Sequence, residues 1–175
     1  MVYSFENKKN HFTLTPFVTY FDNYIYLTPS NVFPKEVVGD EILPYPETGQ
    51  MYVYKQNQAV MSGGEVLYHY HPKEWFKTGV QFDMVFAQNL ETGRPLPMTP
   101  PARGKVFVSL IKKHKKEKSY LTINFTQTAA QNRVDKNEKV TEGYSLVNLA
   151  LGSTFKKLEL KIHVQNLTNT NYLKH

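Results

Sequence analysis

The chain has 175 residues, with 21 Lys plus Arg against 15 Asp plus Glu for a formal charge of +6, and no cysteine. Without cysteine there is no disulfide scaffold, thiolate metal site or Cys nucleophile, and no apolar run reaches the ~18–20 residues of a membrane-crossing helix. Twelve tyrosines, 11 phenylalanines and ten prolines speak for strands and turns instead.

Taken in chain order, the dominant signal is period-two alternation in segments of about ten residues. A stub over residues 1–8 reads as the end of a strand, with no secretory leader. From Phe12 the even positions run Phe12, Leu14, Pro16, Val18 and Tyr20, against His11, Thr13, Thr15 and Thr19. Residues 50–70 alternate less cleanly. From Phe76 the even positions are Phe76, Thr78, Val80, Phe82, Met84 and Phe86, with Lys77, Gln81 and Asp83 between them. Residues 104–112 and 143–153 are weaker strands. Residues 119–128 set Leu121, Ile123 and Phe125 against Tyr120, Thr122 and Asn124, and residues 157–165 set Leu158, Leu160, Ile162 and Val164 against Lys157, Glu159, Lys161 and His163. Eight strands are expected.

Short connections near 7–10, 72–74, 113–118 and 153–156 alternate with long ones at 28–48, 91–103 and 132–142, and another begins at Thr168. That rhythm is an antiparallel meander, tight at one end and variable at the other. No helix-length periodic segment follows any strand, which excludes parallel βαβ architecture. No Gly/Ser linker divides the chain, so residues 1–175 are expected to form one unit. Both ends read as cuts in a longer polypeptide.

Alternation alone is symmetric under exchange of faces: a soluble sandwich hides its apolar face, whereas a membrane barrel turns it to lipid and encloses a polar lumen. Three features favour the barrel. The polar positions are bulky and charged. Tyr24, Tyr26, Trp75 and Phe76 stand at strand ends, as in an interfacial girdle. The alternating cores match the ~9–11 tilted residues that cross a bilayer, rather than the ~5–6 of soluble strands.

Specific motifs then become legible. Glu142–Phe155 (EGYSLVNLALGSTF) followed by Leu158–Tyr172 (LELKIHVQNLTNTNY) resembles the penultimate hairpin of TonB-dependent outer-membrane receptors. Gly63-Gly64-Glu65, His71-Pro72 and Trp75 resemble that family's Gly-x-Glu strand, His-Pro turn and next strand. Residues 96–103 resemble the loop that follows, and residues 21–27 an earlier ascending strand. The matches occur in family order. The resemblance implies an all-β antiparallel up-and-down meander of about eight strands, part of a 22-stranded transmembrane β-barrel. The plug domain and the final strand would lie outside residues 1–175.

It also implies a receptor in the outer membrane of a Gram-negative bacterium, for active uptake of a scarce nutrient such as a ferric siderophore. The partners implied are outer-membrane lipid, the remaining barrel strands, the plug, and an energy-coupling inner-membrane complex that engages the plug. A small-molecule ligand is captured outside. The competing class is a soluble eight-stranded β-barrel or sandwich acting as a ligand-binding module.

Among individual residues, Tyr45, Tyr52, Tyr54, Arg94 and Arg133, in or beside the long loops, are the candidate ligand contacts, because binding concentrates on loops held by a rigid scaffold. The basic run at 112–118 reads as a solvated hairpin turn rather than a nucleic-acid patch. His69 and His71 share a strand face, but no third ligand is placed by spacing, so no metal site is expected. Gly63-Gly64 inside a strand suggests a bulge or bend. Glu65, Asp83 and Glu159 are dispersed, and neither a nucleophile elbow nor a phosphate-cradling loop is present. No enzyme and no cofactor are expected.

Overall fold

The structure is a computed structural model that describes residues 1–30, 36–38, 41–43, 51–114, 117–136, 138–156 and 158–174. Ten strands are formed: β1 (Tyr3–Glu6), β2 (Asn10–Ser30), β3 (Glu36–Val38), β4 (Glu41–Leu43), β5 (Met51–Lys73), β6 (Phe76–Asn89), β7 (Arg103–His114), β8 (Glu117–Thr128), β9 (Tyr144–Phe155) and β10 (Leu158–Val164). Eight of them make one sheet in the order β1-β2-β5-β6-β7-β8-β9-β10, and β3 and β4 form a separate hairpin inside the first long connection. Every neighbouring pair is antiparallel. The eight-stranded meander is the one expected. The β3–β4 hairpin is additional.

The register sorts the side chains into two faces. Leu14, Val66, Phe82 and Gly104 lie in one cross-strand row, as do Val106, Phe125 and Val147. This face is apolar, and it is not covered: Val18 is 77% exposed, Phe82 38%, Phe125 42% and Leu160 59%. The opposite face carries Lys77, Gln81, Asp83, Thr122 and Asn124, mostly half-buried among their neighbours. Among the described residues, the only buried hydrophobics are Ala59, Ala87 and Leu96. A soluble β-domain needs a sealed apolar interior, and this sheet has none.

On the polar face, three cross-strand pairs set an aromatic ring over a glycine. Phe17 opposes Gly63, Phe107 opposes Gly79 and Tyr120 opposes Gly152. A Cβ added at Gly79 would meet Phe107 Cε1 at 2.5 Å and His69 Cδ2 at 2.6 Å. One at Gly152 would overlap the Tyr120 ring. The rings fill the space the glycines leave, a device that pins register in curved sheets. Pairing runs unbroken through Gly63 and Gly64, so the bulge expected there is absent; Gly63 is the space into which Phe17 packs.

The register does shift at two other places: between Phe21 and Tyr24 against Ala59 and Asn57, and between Tyr70 and Lys73 against Thr78 and Phe76. At the first, β2 advances three residues while β5 advances two. The extra residue reverses which side chains face which way. Phe21, Tyr24 and Tyr26 therefore share the polar face, while Ile25 (61% exposed) and Leu27 (44%) take over the apolar one. Tyr24 and Tyr26 are thus not part of an apolar-face girdle.

Candidate functional site

The bulge builds a site at the long-loop end of the polar face. Phe21 and Tyr24 meet edge to face with ring centroids 5.3 Å apart, and Tyr24 stacks on Tyr26 at 6.4 Å. These rings pack against Ala59, Ala87 and Leu96. Leu96 arrives from the second long loop, which folds back onto the sheet: Pro95 bridges to Gln88, and the Leu96 N–H donates to the Ala87 carbonyl at 3.1 Å.

Asn89, the last residue of β6, organises this corner although it is only 3% exposed. Its side-chain oxygen accepts from the Glu91 and Thr92 N–H groups, both at 3.0 Å. Its amide nitrogen donates to the Tyr26 hydroxyl at 3.0 Å, and that hydroxyl donates to Asn57 Oδ1 at 2.9 Å. The Asn57 amide in turn donates to the Glu91 carboxylate, which also accepts the Gln58 N–H at 3.2 Å. Gly93 closes the turn at φ 68°, a left-handed conformation suited to glycine, with its N–H on the Asn89 carbonyl at 2.9 Å. A buried amide bonded through both its oxygen and its nitrogen, as Asn89 is, makes a rigid support. The third long loop adds to it: Gln131 Nε2 donates to the Thr99 carbonyl at 2.6 Å, and the Met98 N–H donates to Glu138 Oε1 at 2.5 Å.

Four of the five sequence-selected residues do not converge here. Tyr45 lies outside the described residues. Tyr52 and Tyr54 pair with Pro29 and Leu27, which puts them on the apolar face, 56% and 75% exposed. Arg94 is exposed on the turn that Asn89 builds. Arg133 lays its guanidinium 4.5 Å from the centre of the Phe86 ring, a cation–π contact that ties the third loop to the apolar side of the wall. What sequence reading missed is the set Phe21, Tyr24, Tyr26, Asn57, Asn89 and Leu96. The available signal was Asp22-Asn23, a polar pair interrupting an aromatic run.

At the opposite end of the polar face, His11, His69 and His71 form a row. The His11 and His69 ring centroids are 6.1 Å apart, and those of His69 and His71 6.3 Å. The rings lie side by side rather than pointing at one centre, and among the described residues no group of three metal-ligating side chains comes together. Phe107 meets His69 edge-on at 5.3 Å, above Gly79.

An unclosed antiparallel wall with greasy and hydrophilic faces reversed relative to a soluble protein defines a piece of a transmembrane β-barrel. The family model for the TonB dependent receptor-like β-barrel matches residues 2–167, and the chain belongs to that family. The solved structure of the copper transporter OprC matches with a TM-score of 0.81 at 16% identity, over 98% of this chain and 26% of that one. The chain thus spans about a quarter of that protein's length. No curated protein matches. In such a barrel the apolar face meets lipid and the polar face lines the lumen.

Proposed function

We propose that residues 1–175 are wall strands from the C-terminal part of a receptor in the outer membrane of a Gram-negative bacterium, working in active uptake of a scarce nutrient. The whole barrel would have 22 strands. A plug domain and a final strand would be supplied by parts of the polypeptide beyond these residues. Energy would come from an inner-membrane complex acting through the plug. No catalytic step is assigned to this chain.

The observation that carries the reading is the inversion of faces: Phe82, Phe125 and Leu160 are exposed together, while the polar face is half-buried and lined with Lys, Gln and Asn. A ferric siderophore or similar chelate is the ligand class proposed. The alternative of a soluble binding module has no support in a sheet whose β1 and β10 are edges.

The long-loop corner around Tyr26 and Asn89 would present the ligand-facing surface, with Arg94 at its exposed edge. The test is uptake of radiolabelled ferric siderophores by cells expressing the full-length receptor in a strain lacking its own, with and without a protonophore. Accumulation that the protonophore abolishes supports the assignment. Uptake of copper or cobalamin instead would keep the transporter and replace the ligand. No energy-dependent uptake of any of them would overturn it.

A further inference from the structure

The short-turn end of the wall carries a concentration of positive charge that the proposed function does not use. Lys8, Lys9, Lys73, Lys77, Lys113 and Lys118 line one basin of about 530 Å³. It is floored by Ile111 and the His71-Pro72 segment. The register puts Lys77, in line with Ser109, on the polar face. Lys113 and Lys118 are direct cross-strand partners.

Like charges placed opposite one another destabilise a strand pair. Among the described residues, only one carboxylate lines the same basin, Glu74, and it is bonded to Lys113 at 3.3 Å. Lys161, on β10, has its own partner in Glu159 at 3.0 Å. The basin is therefore a cationic surface with a large unneutralised excess at the short-turn rim, and the register puts its Lys77, Lys113 and Lys118 on the polar face.

Resting on the receptor reading above, we infer that this basin is the barrel half of an electrostatic latch, holding an acidic segment of the domain that occupies the lumen. A domain seated in the barrel covers this rim and strips water from the ammonium groups, and uncompensated charges are costly to desolvate. Whatever seats stably over the rim must therefore bring carboxylates to it. Lipid headgroups are disfavoured as occupants because Lys77, Lys113 and His71 open toward the lumen. The latch is weakened by salt, since its lysines are largely exposed.

The experiment uses the full-length receptor in bilayers, with barrel folding verified by heat-modifiable gel migration. Hydrogen exchange is followed in the lumen domain across a salt titration. In the native protein, protection of one acidic segment falls as salt rises. In the triple variant Lys77→Glu, Lys113→Glu, Lys118→Glu, that segment exchanges about tenfold faster at low salt and loses its salt dependence. The neutral variant Lys77→Gln, Lys113→Gln, Lys118→Gln lies between, and serves alone if the reversed barrel does not fold. Lys136→Glu with Lys139→Glu, in the third long loop at the other end of the wall, leaves exchange unchanged. Equal protection in native and triple variants overturns the latch while leaving the receptor reading intact. A barrel with no folded domain in its lumen overturns the receptor reading, and the latch with it.

Discussion

Tyr26 and Asn89 lie 63 positions apart in the chain and meet through a 3.0 Å hydrogen bond from the Asn89 amide to the Tyr26 hydroxyl. This contact ties the tall β2–β5 hairpin to the end of β6, and Asn89 also shapes the loop behind it. Tyr26→Phe removes one hydroxyl that serves both Asn57 and Asn89. Leaving the buried Asn89 amide without that partner should cost about 1–3 kcal/mol locally. The expected readout is faster amide exchange in residues 90–99 with the barrel midpoint in denaturant little changed. Exchange no faster than native would show that the bond has no supporting role.

Adjacent residues on opposite faces give a direct test of which side meets lipid. Phe125→Arg should destabilise the full-length barrel in vesicles by about 2–4 kcal/mol if the residue is near the bilayer midplane. Asn124→Arg, one position away on the polar face, should cost far less. Denaturant unfolding from lipid vesicles measures both. Equal costs would contradict the assignment of faces.

The glycines under aromatic rings should be the intolerant ones. Gly79→Ala drives a methyl group into the Phe107 and His69 rings, and overpacking of this kind costs about 1–3 kcal/mol. Gly104→Ala meets nothing closer than Phe82 Cδ2 at 3.9 Å and should fall within about 0.5 kcal/mol of native. A reversed order would remove the packing explanation for Gly79.

The 175-residue chain expressed alone should require detergent. Its apolar face is exposed and the outer edges of β1 and β10 are unpaired among the described residues, both of which invite association. Size exclusion in plain buffer is the check: aggregates or exclusion from solution are expected. A monodisperse monomer with a cooperative melt would favour the soluble alternative.

Deleting Asn23 should remove the extra residue of the bulge and restore simple alternation to β2. Tyr24 and Tyr26 would then turn to the apolar face, and Ile25 to the lumen. Quenching of single-tryptophan reporters at position 25 by a quencher in the aqueous lumen should rise in the deletion relative to the full-length background. An unchanged quenching pattern would show that the register recovers elsewhere.

Much of the wall was legible because its physics is local. Strict alternation at Phe76–Phe86 and Leu121–Phe125 reads directly as two faces, and those rows appear in register as expected. The corner around Asn89 was not legible because one inserted residue reverses side-chain direction for everything after it. Counting even positions from Phe12 therefore misplaces Tyr24 and Tyr26. Similarly, Gly63 reads as a flaw in a strand until Phe17, 46 positions earlier, is known to oppose it. The directions of the loop-side tyrosines were hidden for a related reason. Tyr52 and Tyr54 border a long connection in the sequence, but they belong to β5, which begins at Met51, and their pairing with Pro29 and Leu27 sends them outward.

The unequal strand lengths have a mechanical consequence. β5 pairs with β6 only as far up as Ala59 and Asn89, whereas its pairing with β2 continues from Tyr24–Asn57 to Ser30–Met51. Above Asn89 the wall thus narrows to a ribbon two strands wide, which twists and bends more readily than a broad sheet. Its lateral stiffness comes from the brace of Leu96 and the Tyr26–Asn89 bond rather than from a third strand. A push on that brace would move the tip of the ribbon by leverage, so a small displacement at the root would become a larger one at the tip.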